Sequence, residues 1–453
     1  MTLRDERGVS ISAARTATVE HYERALGLFH GYYADPLAAI DRALADEPDF
    51  LMGHAFRAGL FVVSSEKRAL GALGETVSRA KALIARGIGT ERERAHVAAA
   101  EAWLGGAFEA ACTAYNRLAL EYPRDAFAVQ VAHLCNFYLG RTSWLRDHVA
   151  AVLPHYGPAD FSTSYLLGMH AFGLEENHQF ERAEQVALRA LDSNRRDPWA
   201  VHALAHVHEM RGEPVLNIQS LRARVDDWAS ENLFAIHNWW HLALSTLEIG
   251  DPDAVLDIYD RQIRASKSEV NLDLVDASAL LWRLELRSID VGDRFVELAH
   301  AWRRVEEEEF YAFNDVHALM AYAGAGSEAD VARVLASTTR TARGSSDNAV
   351  ITREVGLPAC RGLVAFARGE YAATVDALFP IRPYAHRFGG SNAQRDLLDW
   401  TLIEAATRAG QRSLAEALIN ARAAERPRAI SPVRMRLELE RAASVPRRDT
   451  RAA

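Results

Sequence analysis

Seven of the 17 histidines fall between residues 170 and 241: His170, His178, His202, His206, His208, His237 and His241. In HALAHVHEMRG (202–212), His202, His206 and Glu209 stand at i, i+4 and i+7, so a helix there presents all three on one face. His208 points the other way, because two residues rotate a helix by about 200°. HNWWHLAL (237–244) repeats the spacing with His237 and His241. Histidines at i, i+4 offer two imidazole nitrogens from one helix. His202, His206, His237 and His241 are therefore the candidate ligands of a divalent metal such as zinc, helped by Glu209 or Asp315. The same residues suit acid–base chemistry without a metal. Imidazole titrates near neutral pH, and His206 or His241 could serve as general base, with Glu209, Asp315 or Asp396 to orient it.

Three further motifs carry polar residues expected to contact a ligand. GMHAFGLEE (168–176) supplies His170, Glu175 and Glu176. FNDVHALMA (313–321) supplies Asn314, Asp315 and His317, and GGSNAQRD (389–396) supplies Asn392, Gln394, Arg395 and Asp396. Arg395 is suited to hold a carboxylate or phosphate bidentately. Trp240 could stack a flat ligand, although tryptophan is also an ordinary repeat core residue. The plain alternative is a hydrogen-bonded network that fixes the register of neighbouring repeats. No nucleophile elbow, Gly-rich phosphate loop or Ser/Cys–His signature accompanies the cluster, so these residues name no reaction.

The elements that must position these side chains are helices. Apolar residues recur at i, i+3, i+4 and i+7 almost throughout, broken by turns such as GGAF (105–108), NRRDP (194–198), GDPD (250–253) and RAGQR (408–412). Gly106, Ala111 and Pro123 fall at offsets 0, +5 and +17, and Gly410, Ala415 and Pro427 repeat them. This pattern resembles the tetratricopeptide repeat, a helix–turn–helix of about 34 residues. It predicts an all-α fold: a right-handed superhelical solenoid of degenerate tetratricopeptide-like hairpins over 15–440. Residues 1–14 read as an N-terminal extension and 441–453 as a frayed tail. First helices line the concave groove of such a solenoid, about 8–10 Å apart, which lets four imidazoles converge.

The order HAFGLEE, HALAHVHEMRG, HNWWHLAL, FNDVHALMA and GGSNAQRD resembles the tetratricopeptide repeat protein 38 family, over roughly residues 15–440. The resemblance implies the helical-repeat fold and no particular reaction. Asn392 stands where the family pattern often has histidine, so a role needing imidazole there does not carry over.

Composition narrows the classes. With 52 Lys+Arg against 61 Asp+Glu the net charge is −9, and there is no basic block, which argues against a nucleic-acid partner. Apolar stretches break well before 18 residues, so no membrane span is expected, and the N-terminus lacks a signal-peptide core. Cys112, Cys135 and Cys360 form no C-x-x-C pair and fit a reducing, cytoplasmic setting. Only three lysines occur and none sits in a suggestive cluster, which disfavours Schiff-base chemistry. The expected function is binding of a small polar ligand or a peptide in a His/acid-rich groove. The alternative is an enzyme using that groove, metal-assisted or through a His–carboxylate pair, on a small polar substrate. The sequence sets no oligomeric state.

Overall fold

The computed structural model describes residues 3–305 and 308–444. A two-stranded hairpin, β1 (Leu3–Arg4) against β2 (Ser10–Ile11), opens the chain. Helices follow in pairs: α1 (Thr16–Gly31) with α2 (Pro36–Asp46), α3 (Leu51–Ser64) with α4 (Leu70–Ala85), and α5 (Glu91–Leu104) with α6 (Phe108–Glu121). Next come α7 (Ala126–Tyr138) with α8 (Thr142–Val152), α9 (Thr163–Glu175) with α10 (Phe180–Ser193), and α11 (Pro198–Arg211) with α12 (Pro214–Ala223). A one-turn helix, α13 (Val225–Trp228), precedes α14 (Ala235–Ile249) with α15 (Pro252–Ile258), and α16 (Asn271–Leu286) with α17 (Arg294–Val305). The C-terminal part holds α18 (Ala312–Gly324) with α19 (Glu328–Thr341), and a short α20 (Asp347–Ile351) leading into α21 (Leu357–Ala367) with α22 (Tyr371–Leu378). The last pair is α23 (Asn392–Arg408) with α24 (Arg412–Glu425), and α25 (Ser431–Ser444) runs alone into the segment read as tail. Residues 445–453 of that segment lie outside the described residues. The fold is the expected all-α, right-handed tetratricopeptide-type solenoid.

Second helices are one-sided. Helix α10 buries Ala183, Ala187, Ala190 and Leu191 and turns its charged face to water. First helices are different: α9 buries every residue from Ser164 to Glu175, and α11 every residue from Pro198 to His208. A helix buried all round must be covered on both sides, and here the second cover is the next turn of the superhelix. Leu233 N donates to Tyr32 O at 2.7 Å, Asn271 N to Glu66 Oε1 at 3.0 Å, Tyr311 Oη to Tyr138 O at 2.9 Å and Asn392 N to Glu176 Oε1 at 2.7 Å. The last two pairs lie 173 and 216 residues apart, so one superhelical turn takes about five to six repeats of roughly 34 residues. The concave face is therefore not an open groove. Successive turns rest on one another and close it.

Two glycines make this winding feasible. A Cβ on Gly168 would lie 2.6 Å from Trp199 Cβ, so glycine lets α9 lie directly on α11. Gly212 ends α11 at φ 73, and a Cβ there would come within 2.3 Å of Ala429 N on the next turn. At the other end of α11, Asp197 caps the helix by accepting from Ala200 N at 3.1 Å, and Pro198 occupies the first helical position. Burial pushes the Asp197 carboxyl up to about 7, against the lowering effect of its bond to Ala200 N.

The folded state thus holds the Asp197 proton more tightly than the unfolded chain does, and stability falls as pH climbs from about 4 through 7. Asp197→Ala is expected to cost about 1 kcal/mol through the lost cap. Asp197→Asn keeps an acceptor and removes the titration, so its melting temperature relative to the parent should rise between pH 5 and pH 8.5 in thermal denaturation.

Candidate functional site

Four imidazoles meet between α11 and α14. His202, His206, His237 and His241 are all buried, and one nitrogen from each lies within 4.8 Å of the others. Ring centroids are 4.4 Å apart for His202–His206 and His206–His241, and 4.8 Å for His237–His241. The i, i+4 spacing on two neighbouring first helices is what brings them together. Carboxylates on three first helices, α9, α11 and α16, stand behind the rings. His237 Nδ1 donates to Asp276 Oδ2 at 2.7 Å from α16, and His241 Nδ1 to Glu209 Oε2 at 3.0 Å from α11. His206 Nδ1 lies 3.3 Å from Glu175 Oε2 of α9. Trp240 stacks on His237 at 5.3 Å with 13° between the planes, and Arg283 lies over the Trp240 ring.

A carboxylate accepts, so His237 donates its Nδ1 proton to Asp276. Its Nε2 shares a hydrogen bond with His202 Nε2 at 3.1 Å. Two nitrogens held about 2.0–2.1 Å from one ion, roughly 90–110° apart, would be about 3.0–3.4 Å from each other. His241 Nε2, both nitrogens of His206 and His202 Nδ1 have no hydrogen-bond partner. Burial holds His206 down at about 4 and keeps His202 and His241 well below the usual histidine range. The three rings are neutral, the state that ligates a metal. Burial also pushes Glu175 up to about 8 and raises Glu176 and Glu209, with Arg395 opposing the rise at Glu176 and Arg426 at Glu209.

The structure separates the other expected residues. Glu176 joins the site through His206 and pairs with Arg395 at 3.2 Å, while Arg395 also donates to Asn392 Oδ1 at 2.8 Å. Asn392 and Arg395 thus clamp Glu176, and neither offers a free anion-binding fork. Asp396 does not orient a histidine. It is buried between Arg422, which donates to it at 3.0 Å, and Arg426 at 3.1 Å. Asp315 is not among the carboxylates that meet the imidazoles; it lies on α18 near the Cys360 thiol. His317 donates Nδ1 to Phe313 O at 2.7 Å, within its own helix, and stacks on Phe313. His170 faces Arg146 and Arg182 on the far side of α9, away from the cluster. Trp240 is fully buried, with its ring stacked on His237. Sequence reasoning missed Asp276, whose one signal is an acidic residue inside the apolar run of α16. It also missed His133, whose ring nitrogens are both buried without a partner.

Where the concave face closes, it leaves a chamber of about 280 Å³. Phe29, Tyr32, Phe137, Phe172, Trp199 and Phe234 supply aromatic wall, His133, His202 and His237 one polar edge, and Asn314, Ser391 and Gln394 another. Gln394 Oε1 accepts from Ser391 N in a capping box, which leaves Nε2 without a partner. Two of the four clustered histidines, His202 and His237, therefore face this chamber. The ion cluster of Glu176, Arg395, Asp396 and Arg426 lies outside this chamber and lines a separate cavity of about 360 Å³.

No family model matches this chain. Among solved structures, a human IFIT1 dimer with PPP-AAAA is similar at 11% identity, covering 98% of this chain and 98% of that one, with a TM-score of 0.43. A monomeric IFIT1 mutant with Gppp-AAAA matches at 10% identity over 97% and 98%, with a TM-score of 0.44. The P58(IPK) TPR domain matches at 12% identity over 87% and 99%, with a TM-score of 0.20. The likeness ends at helical-repeat architecture. It still corrects one expectation: solenoids of this kind are solved with PPP-AAAA and Gppp-AAAA, so nucleic acid is not excluded. Among the described residues no helix is long and apolar enough to cross a membrane.

The placement of Asp396 gives a direct check. Asp396→Ala strands two buried guanidinium groups and is expected to cost about 3–5 kcal/mol in urea denaturation. A loss below about 1 kcal/mol would contradict the paired role.

Proposed function

We propose that this chain is a metal-binding helical-repeat protein that receives a small ligand in its enclosed chamber, with His202, His206, His237 and His241 holding the ion. One observation carries the reading. Four buried imidazoles converge, carboxylates stand at Nδ1 of three of them, and His206 and His241 keep Nε2 without a protein partner. A network built only to fix register would pair those nitrogens, because buried polar groups left unpaired are costly. A carboxylate behind a ligating imidazole is also the usual way to fix its tautomer and orientation.

A divalent ion there would act as a Lewis acid or lower the pKa of a bound water. The chain's own residues do the rest: Glu209 and Asp276 orient His241 and His237, Trp240 clamps the His237 ring, and aromatic walls exclude water. A site enclosed in this way favours metal-assisted chemistry on a small molecule over a peptide clamp, which needs an open groove. Membership of the tetratricopeptide repeat protein 38 family and a cytoplasmic setting belong to the same proposal, as does the division at 1–14, 15–440 and 441–453.

Inductively coupled plasma mass spectrometry of the purified protein should find roughly one zinc, manganese, iron or nickel per chain, and far less in His206→Ala and His241→Ala. A parent protein that purifies without metal and takes up none from solution would sink the reading. Asp276→Asn, which removes the acceptor behind His237, should weaken metal affinity by about 10–100-fold in competition with a chelator, leaving the far-ultraviolet circular dichroism unchanged.

A further inference from the structure

The chamber has a composition unlike the ligand that the sequence suggests. None of the described residues lining it is Asp, Glu, Lys or Arg. A charged molecule would lose its hydration there without gaining a counter-charge from the walls. Native interiors hold few voids larger than a water molecule, so a space of about 280 Å³ framed by aromatic rings calls for an occupant. For scale, a dry cavity of about 150 Å³ takes up benzene.

Its polar atoms sit in two places. At one edge are the imidazoles of His202 and His237, the two whose Nε2 atoms face each other at 3.1 Å. At the other is Gln394, 2% exposed, whose Nε2 has no partner. Half-buried Ser64 and Ser65 lie at the rim beside Leu233 and Val270, which are 60% and 49% exposed although they line the chamber. The way in therefore opens at the seam between superhelical turns and is itself apolar.

We propose that the chamber binds a neutral molecule of one or two rings bearing a single carbonyl or hydroxyl oxygen, the rings against the aromatic walls and the oxygen toward His202 and His237. Occupancy by the rings depends on the chamber alone. Placement of the oxygen rests on the metal reading given above. With no ion bound, the uncharged walls disfavour anions of the same size, and Leu233 and Val270 at the rim admit the ring system first.

The test uses the full chain and 2-naphthol as probe, titrated calorimetrically against zinc-loaded and zinc-stripped protein whose metal content is read by mass spectrometry. The expected result is one site per chain, at least tenfold tighter in the loaded protein. Naphthalene-2-sulfonate should bind at least tenfold more weakly than 2-naphthol to stripped protein. Val63→Trp and Leu272→Trp, which fill the chamber from two different helices, should each weaken 2-naphthol at least tenfold, and circular dichroism identifies whichever variant is folded. Absence of 2-naphthol binding, equal binding of the sulfonate, or indifference to a folded filling variant would overturn the ligand class. Equal affinity with and without bound zinc would overturn the placement of the oxygen. A protein that takes up no zinc fails the metal reading instead, and its 2-naphthol titration still decides the chamber.

Discussion

Neutral imidazoles buried without partners are the constraint on which the rest of this structure turns. A histidine in a protein interior normally spends both ring nitrogens on hydrogen bonds. Here His206 spends neither and His241 spends one, and both lie in the middle of the fold. Such an arrangement costs stability unless something occupies the point where the nitrogens meet. The helices around it are organised to hold that point: α11 and α14 supply the rings, while α9, α11 and α16 supply the carboxylates. Gly168, by letting α9 lie on α11, is what allows Glu175 to approach His206.

The winding of the superhelix decides what this centre can meet. In a loose solenoid the first helices would face an open groove, and the histidines would be accessible to a peptide. In this chain backbone groups of one turn bond to the next, and the groove becomes a chamber with aromatic walls. The same closure explains why first helices carry polar residues that never see water. Glu176 pairs with Arg395, and Asp396 with Arg422 and Arg426.

Much of this was legible in the sequence. The period of the apolar residues and the recurrence of Gly, Ala and Pro at fixed offsets gave the helical pairs. The i, i+4 spacing of His202, His206, His237 and His241 gave the cluster itself, because two neighbouring first helices of a solenoid can do little else with such a pattern. What sequence could not supply was contact between residues about 200 apart. That is why Asp396 looks available in the sequence when two arginines already hold it. Asp276 was overlooked because one acidic residue in an apolar helix has no periodic partner to flag it.

The most direct measurement is the X-ray absorption spectrum of the metal in the purified protein, recorded at its own edge. Ligation by the four histidines predicts a shell of nitrogen at about 2.0–2.1 Å with the multiple scattering of imidazole rings. That signature should disappear when His206 and His241 are both replaced by alanine. A sulfur shell near about 2.3 Å, or a spectrum without imidazole scattering, would contradict a four-histidine centre.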